Sequence, residues 1–226
     1  MAASSRFPAV IAGAGVLAAT AAVVGGLSYW YLRRYAQDLD EGFDEENSRL
    51  EDTIESHVLV LGLSGAGKTA FIDSLTNSNR SSNRELRPTD GFNVISLQTP
   101  KGTINIKEIG GGKEQRKYWT KYIEDTDLLI YVVDAADEPR IGESKDVLHV
   151  LLNDERLQEV PTVILANKQD IPSAESAEQL RELLNLNIIP PKKHEIRVIA
   201  SSIPPHGVQT VGVDETQRII RQLCKK

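Results

Sequence analysis

Gly62-Leu63-Ser64-Gly65-Ala66-Gly67-Lys68-Thr69 follows directly on the apolar run His57–Leu61, and its reading decides the fold. It is the pattern G-x4-G-K-[ST], set where a buried strand should give way to a helix beginning near Lys68. The spacing has a chemical reason. Glycines let backbone N–H groups curl around a polyphosphate, and the helix N-terminus adds the positive end of its dipole. Lys68 is expected to reach the β- and γ-phosphates, and the Thr69 hydroxyl to ligate Mg²⁺. Gly62, Ser64, Gly65, Ala66, Gly67, Lys68 and Thr69 are thus candidate nucleotide-binding residues. A glycine-rich structural turn without nucleotide is the competing reading, and two later motifs count against it.

The first is Asn167-Lys168-Gln169-Asp170, after the apolar stretch Thr162–Ala166 and about 100 residues beyond the glycine-rich loop. A carboxylate here can accept both the N1–H and the exocyclic amine of guanine, donors that adenine lacks. A buried acid left without them rejects the wrong base by ~10⁴ or more. Alone, the tetrapeptide is compatible with an ordinary loop. After a phosphate-binding loop, and at a strand end in an alternating β/α pattern, it points to GTP and GDP. The second is Ile199-Ala200-Ser201-Ser202, after a strand expected at Glu195–Ile199. There the backbone amides of Ala200 and Ser201 would meet guanine O6.

Around these motifs the chain alternates. Ile104–Ile109 and Leu128–Val133 read as buried strands, and Val147–Leu152, Gln179–Leu184 and Val213–Cys224 as helices. Thr99-Pro100-Lys101-Gly102 reads as a hairpin turn. Such alternation predicts an α/β fold with a mostly parallel sheet.

Pro88-Thr89-Asp90-Gly91-Phe92-Asn93-Val94, then Glu108-Ile109-Gly110-Gly111, Trp119 and the Asn167–Asp170 motif resemble the ADP-ribosylation factor (Arf) family. The resemblance covers about 57–226. It implies the small P-loop G domain, a six-stranded mostly parallel sheet wrapped by helices, binding GTP or GDP with Mg²⁺. By the same resemblance Thr89 senses the γ-phosphate through Mg²⁺, and the amide of Gly111 touches that phosphate. Both would release on hydrolysis and let their loops relax.

The departures matter as much. The family has Asp where Glu108 stands, one methylene longer, which bears on the outer contact to Mg²⁺. Gly112 replaces the glutamine that orients the attacking water, so Lys68 and Thr89 remain of the catalytic set and intrinsic hydrolysis is expected to be slow. Gln115 lies three residues on, a poor substitute if that segment is helical. Ser201 stands where the family has threonine. Of its aromatic effector patch Phe92 and Tyr122 remain, but the third position is Lys107. Ala2 excludes N-myristoylation, and Cys224-Lys225-Lys226 is not a prenylation box.

Ahead of the domain, residues 1–6 form a short tail, and the 26 residues Phe7–Leu32 carry no charge. As a helix they would span roughly 39 Å, enough for a ~30 Å hydrocarbon layer. Tyr29, Trp30 and Tyr31 would sit at the headgroups. Arg33 and Arg34 outweigh Arg6, which predicts a single-pass membrane protein with its G domain in the cytosol. A secretory signal or a mitochondrial presequence competes, but the first has a shorter apolar core and the second is amphipathic. Ala14, Ala18, Ala22 and Gly26 could make a helix–helix face, although the abundance of alanine explains the spacing better. The combination of apolar stretch and tether points to divergent, membrane-anchored Arf-like proteins.

Residues 33–56 read as an acidic linker. Gln37–Glu55 holds nine acids and one base, while residues 1–36 carry three arginines and no acid. With a net charge of −6, that leaves −1 for 56–226, no footprint for nucleic acid. Leu39, Phe43, Leu50 and Ile54 fall on one side of a helical wheel, so an amphipathic helix competes with a solvated tether. One cysteine excludes a disulfide framework.

Two functions stay open. One is a cycling switch that recruits an effector at a membrane, served by an exchange factor and by a GAP that completes its site. The other is a nucleotide-bound adaptor with little or no hydrolysis, like the Arf-like β subunit of the signal-recognition-particle receptor.

Overall fold

In a computed structural model of the chain, the described residues are 54–76, 91–99, 102–204 and 210–223. They form six strands: β1 (Ile54–Leu61), β2 (Phe92–Thr99), β3 (Gly102–Ile109), β4 (Leu128–Asp134), β5 (Thr162–Asn167) and β6 (Ile196–Ala200). The helices are α1 (Lys68–Thr76), α2 (Lys113–Arg116), α3 (Glu138–Leu152), α4 (Ala177–Leu183) and α5 (Val213–Leu223). Single 3₁₀ turns fall at Trp119–Lys121, Glu155–Leu157 and Leu186–Ile188.

The sheet order is β2-β3-β1-β4-β5-β6, with β2 antiparallel to β3 and every other pair parallel. Parallel strands covered by helices on both faces are apolar without alternation. Thus every residue of β5, and of β4 up to Val133, is buried. Alternate residues still point to opposite faces. Val58 and Val60 pack in the core beneath α1 and α5, with Phe71, Ile72, Val213 and Ile220. Leu59 and Leu61 pack on the other side, with Ile141, Leu148, Leu151 and Leu180 of α3 and α4. Edge strand β2 has no buried residue and alternates between exposed and half-buried.

Because β1 lies between β3 and β4, the chain winds outward in two directions from its carboxyl end. That switch point is where an open α/β sheet leaves a crevice for a ligand.

The six-stranded α/β expectation holds, with several shifts. β1 begins at Ile54, where Ile54–Ser56 pair with Gly102–Ile104, so Ile54 belongs to a strand and not to an amphipathic helix. Leu39, Phe43 and Leu50 lie outside the described residues. α3 begins nine residues ahead of Val147, with Pro139 in its first turn; those first turns are polar and carry Gly142, so they show no apolar pattern. Only Ile141, Ser144, Leu148, Leu151 and Leu152 of that helix are buried. α4 starts earlier under a capping box, in which Ser176 and Gln179 satisfy each other's backbone amides. Thr99 and Gly102 pair across the hairpin as expected, with Pro100 and Lys101 outside the described residues. Cys224 is likewise outside them.

The expected single-pass membrane topology is corrected. Among the described residues no helix is long and apolar enough to cross a membrane. The longest, α3, has 15 residues, roughly 22 Å against a ~30 Å core, and it carries Glu138, Arg140, Glu143, Lys145 and Asp146. Phe7–Leu32, on which that expectation rested, lies outside the described residues.

Candidate nucleotide site

The loop between β1 and α1 turns through Gly65 and Gly67, at φ +81° and +98°, a region that side chains rarely adopt. A Cβ on Gly67 would also overlap the Asn167 amide, so the loop is closed against the second motif. Lys68, only 6% exposed, donates to the carbonyls of Gly62 and Leu63 at 3.0 Å each. Burial pushes its ammonium down to about 8, opposed by the charge of Glu108. The lysine thus lies folded on the loop, with its charge poised where a phosphate would reward it.

Parallel register sets Val60 beside Glu108 at the carboxyl end of β3. There the Thr69 hydroxyl donates to Glu108 Oε1 at 2.6 Å, and Glu108 is 1% exposed. The longer side chain reaches the hydroxyl directly. A buried carboxylate touching a hydroxyl beside a phosphate loop is a hard-oxygen donor set that fits Mg²⁺. No group of three or more His, Cys, Asp or Glu is assembled among the described residues. Mg²⁺ is commonly held by one or two protein groups, with water and substrate phosphates completing its octahedron.

Asn167 is 3% exposed; its Nδ2 donates to the Ala66 carbonyl at 2.8 Å, and its Oδ1 accepts from Ser201 Oγ at 3.1 Å. This one side chain joins the phosphate loop, the end of β5 and the end of β6. Lys168 holds a left-handed backbone at φ +68° and pairs with Asp134 Oδ2 at 2.6 Å. Asp170 accepts from Ser202 Oγ at 2.8 Å and is exposed, not buried as the specificity argument assumed.

The O6 expectation is corrected for Ser201 only. Ala200 ends the edge strand β6, whereas the amides of Ser201 and Ser202 are engaged by the Ala166 and Val211 carbonyls. Neither serine amide is available to a base in this arrangement. Their hydroxyls instead orient Asn167 and Asp170.

Gly111 is buried against the phosphate loop, where a Cβ would run into the backbone of Gly62–Ser64. Gly112 follows as the N-cap of α2. Thr89 lies outside the described residues. The Phe92 and Tyr122 rings are 6.1 Å apart, and Val94, opposite Lys107 in the β2–β3 register, extends that patch.

Sequence reasoning missed three participants. Ser202 holds Asp170, Asp134 holds Lys168, and Arg140 Nη1 binds the Ser64 carbonyl at 2.9 Å while its Nε pairs with Asp137. Asp134 had a signal, a lone acid closing the apolar strand Leu128–Val133. Ser202 closes the Ile199–Ser202 motif but has no role in its reading, and nothing local marks Arg140.

A phosphate-binding loop at the switch point of an open parallel sheet, tied by Asn167 to a guanine-type motif, defines the class of P-loop guanine-nucleotide-binding proteins. Residues 45–222 match the ADP-ribosylation factor family, and the chain belongs to it. It is 38% identical over 147 residues to ADP-ribosylation factor-like protein 3 of Chlamydomonas reinhardtii, covering 65% of this chain and 81% of that one. ADP-ribosylation factor-like protein 1 of Saccharomyces cerevisiae is 36% identical over 168 residues, or 74% and 89% of the two chains. The Arl6 BBS3 small GTPase of Trypanosoma brucei, solved with bound nucleotide analogue GppNp, superposes at a TM-score of 0.65 with 26% identity. That match covers 76% of this chain and 98% of the other. This is an Arf-like small GTPase, a GTP-binding switch.

Proposed function

We propose that the chain cycles between GDP and GTP with Mg²⁺, hydrolyses GTP slowly on its own, and engages effectors in the GTP state. The observation that carries this reading is the Asn167 bridge, which couples the base-reading loop to the phosphate loop through Ala66 and Ser201. Lys68, with the amides of the 62–69 loop, holds the phosphates; Thr69 and Glu108 serve the magnesium; Asp170 reads guanine. Thr89 and Gly111 sense the γ-phosphate. The slow rate follows from Gly112, which has no side chain to position water. Phe92 and Tyr122 form the effector face, with Lys107 changing the partners it accepts. An exchange factor and a GAP serve the cycle. Within the family, the apolar stretch 7–32 followed by the acidic run resembles Arf-like proteins nine and ten.

The test is nucleotide competition followed by single turnover. GTP and GDP should displace a fluorescent guanine nucleotide, and ATP should not at comparable concentration. Asp170→Asn should weaken guanine binding and favour xanthine nucleotides. Equal affinity for ATP and GTP would sink the assignment. Tight GTP binding with no turnover, even with a GAP, would leave the adaptor reading in its place.

A further inference from the structure

Residue 112 is where a side chain is missing, and the structure fills that place from elsewhere. The segment is helical, which is the ground for expecting Gln115 to be a poor substitute. But α2 begins only after Gly112, and that removes the objection: Gln115 is its third residue and can turn back over the helix start. It does so: a Cβ built on Gly112 would overlap the Gln115 amide oxygen, Oε1. That oxygen therefore lies within about 4 Å of the Gly112 Cα. Unlike Gln179, whose amide oxygen accepts from the N-cap backbone of Ser176 and closes α4, Gln115 makes no such bond to the Gly112 amide. The preceding residue, Gly111, is in contact with the Gly62–Ser64 backbone. The Gln115 amide is thus one residue from the phosphate loop, at the place where a side chain on 112 would begin.

We propose that Gln115 is the positioning residue for the attacking water, its carboxamide standing in for the side chain absent at 112. The proposal rests on the reading of the chain as a GTP hydrolase. A carboxamide offers both an acceptor and two donors, so it can accept from the water while donating to charge that develops on the phosphoryl group. The water oxygen bonds to the γ-phosphorus as the bond from that phosphorus to the β–γ bridging oxygen breaks. The proton of the water passes to phosphate, and the products are GDP and inorganic phosphate. Gly112 is then part of the arrangement and more than a lesion, because any Cβ there must push the Gln115 amide aside.

The experiment uses the full chain and measures single-turnover GTP hydrolysis beside the affinity for a fluorescent guanine nucleotide. Gln115→Ala should lower the rate roughly tenfold or more with affinity unchanged. Gly112→Ala, whose methyl makes the flexible amide shift, should lower the rate by less than Gln115→Ala does. Gly112→Gln brings its own carboxamide, should raise the rate severalfold, and in that background Gln115→Ala should cost nothing. A structural role for Gln115 would not produce that rescue. Gln115→Ala turning over at the wild-type rate overturns the proposal, as does an equal loss in the Gly112→Gln background. Failure of the wild type to bind guanine nucleotide would instead reject the GTPase reading, and this proposal with it.

Discussion

Lys68 carries the clearest residue-scale consequence. Without nucleotide its ammonium is buried on two carbonyls, and burial pushes it down to about 8. A bound polyphosphate favours the charged form and raises that value again. Binding therefore takes up a proton once the solution is more alkaline than the free site's value. The sign follows: affinity is full below pH 8 and falls as pH rises through 8 toward the value of the loaded site. Between pH 8 and 9.5 the dissociation constant for GDP should rise by about tenfold per pH unit at most. Titrating a fluorescent GDP analogue from pH 7 to 9.5 checks it. Lys68→Arg, whose guanidinium stays charged, should give a much shallower profile however weakly it binds, with only the fall at the alkaline end that loss of the guanine N1 proton brings.

At the scale of elements, the site is a junction of β1, β5 and β6, and Asn167 is the pin. Removing its amide leaves the Ala66 carbonyl and the Ser201 hydroxyl without partners in a buried setting. Each such loss costs about 1–3 kcal/mol. Asn167→Ala should therefore lower stability in urea by about 2–6 kcal/mol and weaken nucleotide affinity as well, since the phosphate loop loses its brace. Ser176→Ala is the matched control. It removes the cap of α4 at a cost of about 1 kcal/mol, and should leave nucleotide affinity unchanged because α4 supplies no site residue. Equal affinity losses in the two variants would mean that Asn167 acts through general stability alone.

For the whole molecule, ligand and fold are linked by mass action. Nucleotide and Mg²⁺ meet their groups only where the sheet has assembled the loops after β1, β3, β5 and β6. At 1,000 times the dissociation constant, GDP with Mg²⁺ should add about 4 kcal/mol, on the order of 10 °C in the thermal midpoint. ATP should add nothing, and chelating the magnesium should reverse part of the gain. A scanning fluorescence melt reads this out through Trp119, which is buried and bonded to the Gly110 carbonyl.

The amino-acid sequence alone determined the class, because its deciding features are local. A glycine-rich turn between an apolar strand and a helix, and the Asn167–Asp170 run after another apolar strand, are contiguous residues whose backbone demands and chemistry travel with them. For the same reason the buried strands were legible, while the polar first turns of α3 were not. Tertiary structure decided what depends on register and close approach. It brought Ser201 and Ser202 to Asn167 and Asp170, taking up their amides in β-type pairing, and set Asp134 against Lys168. It folded Lys68 onto its own loop, lowering its proton affinity by burial. It also placed the Gln115 amide in the space that Gly112 leaves open. Each of these pairs meets only because strands from distant parts of the chain end at one edge of one sheet, or because a helix begins at one residue and not the next. The spacing of residues along a chain carries no measure of that.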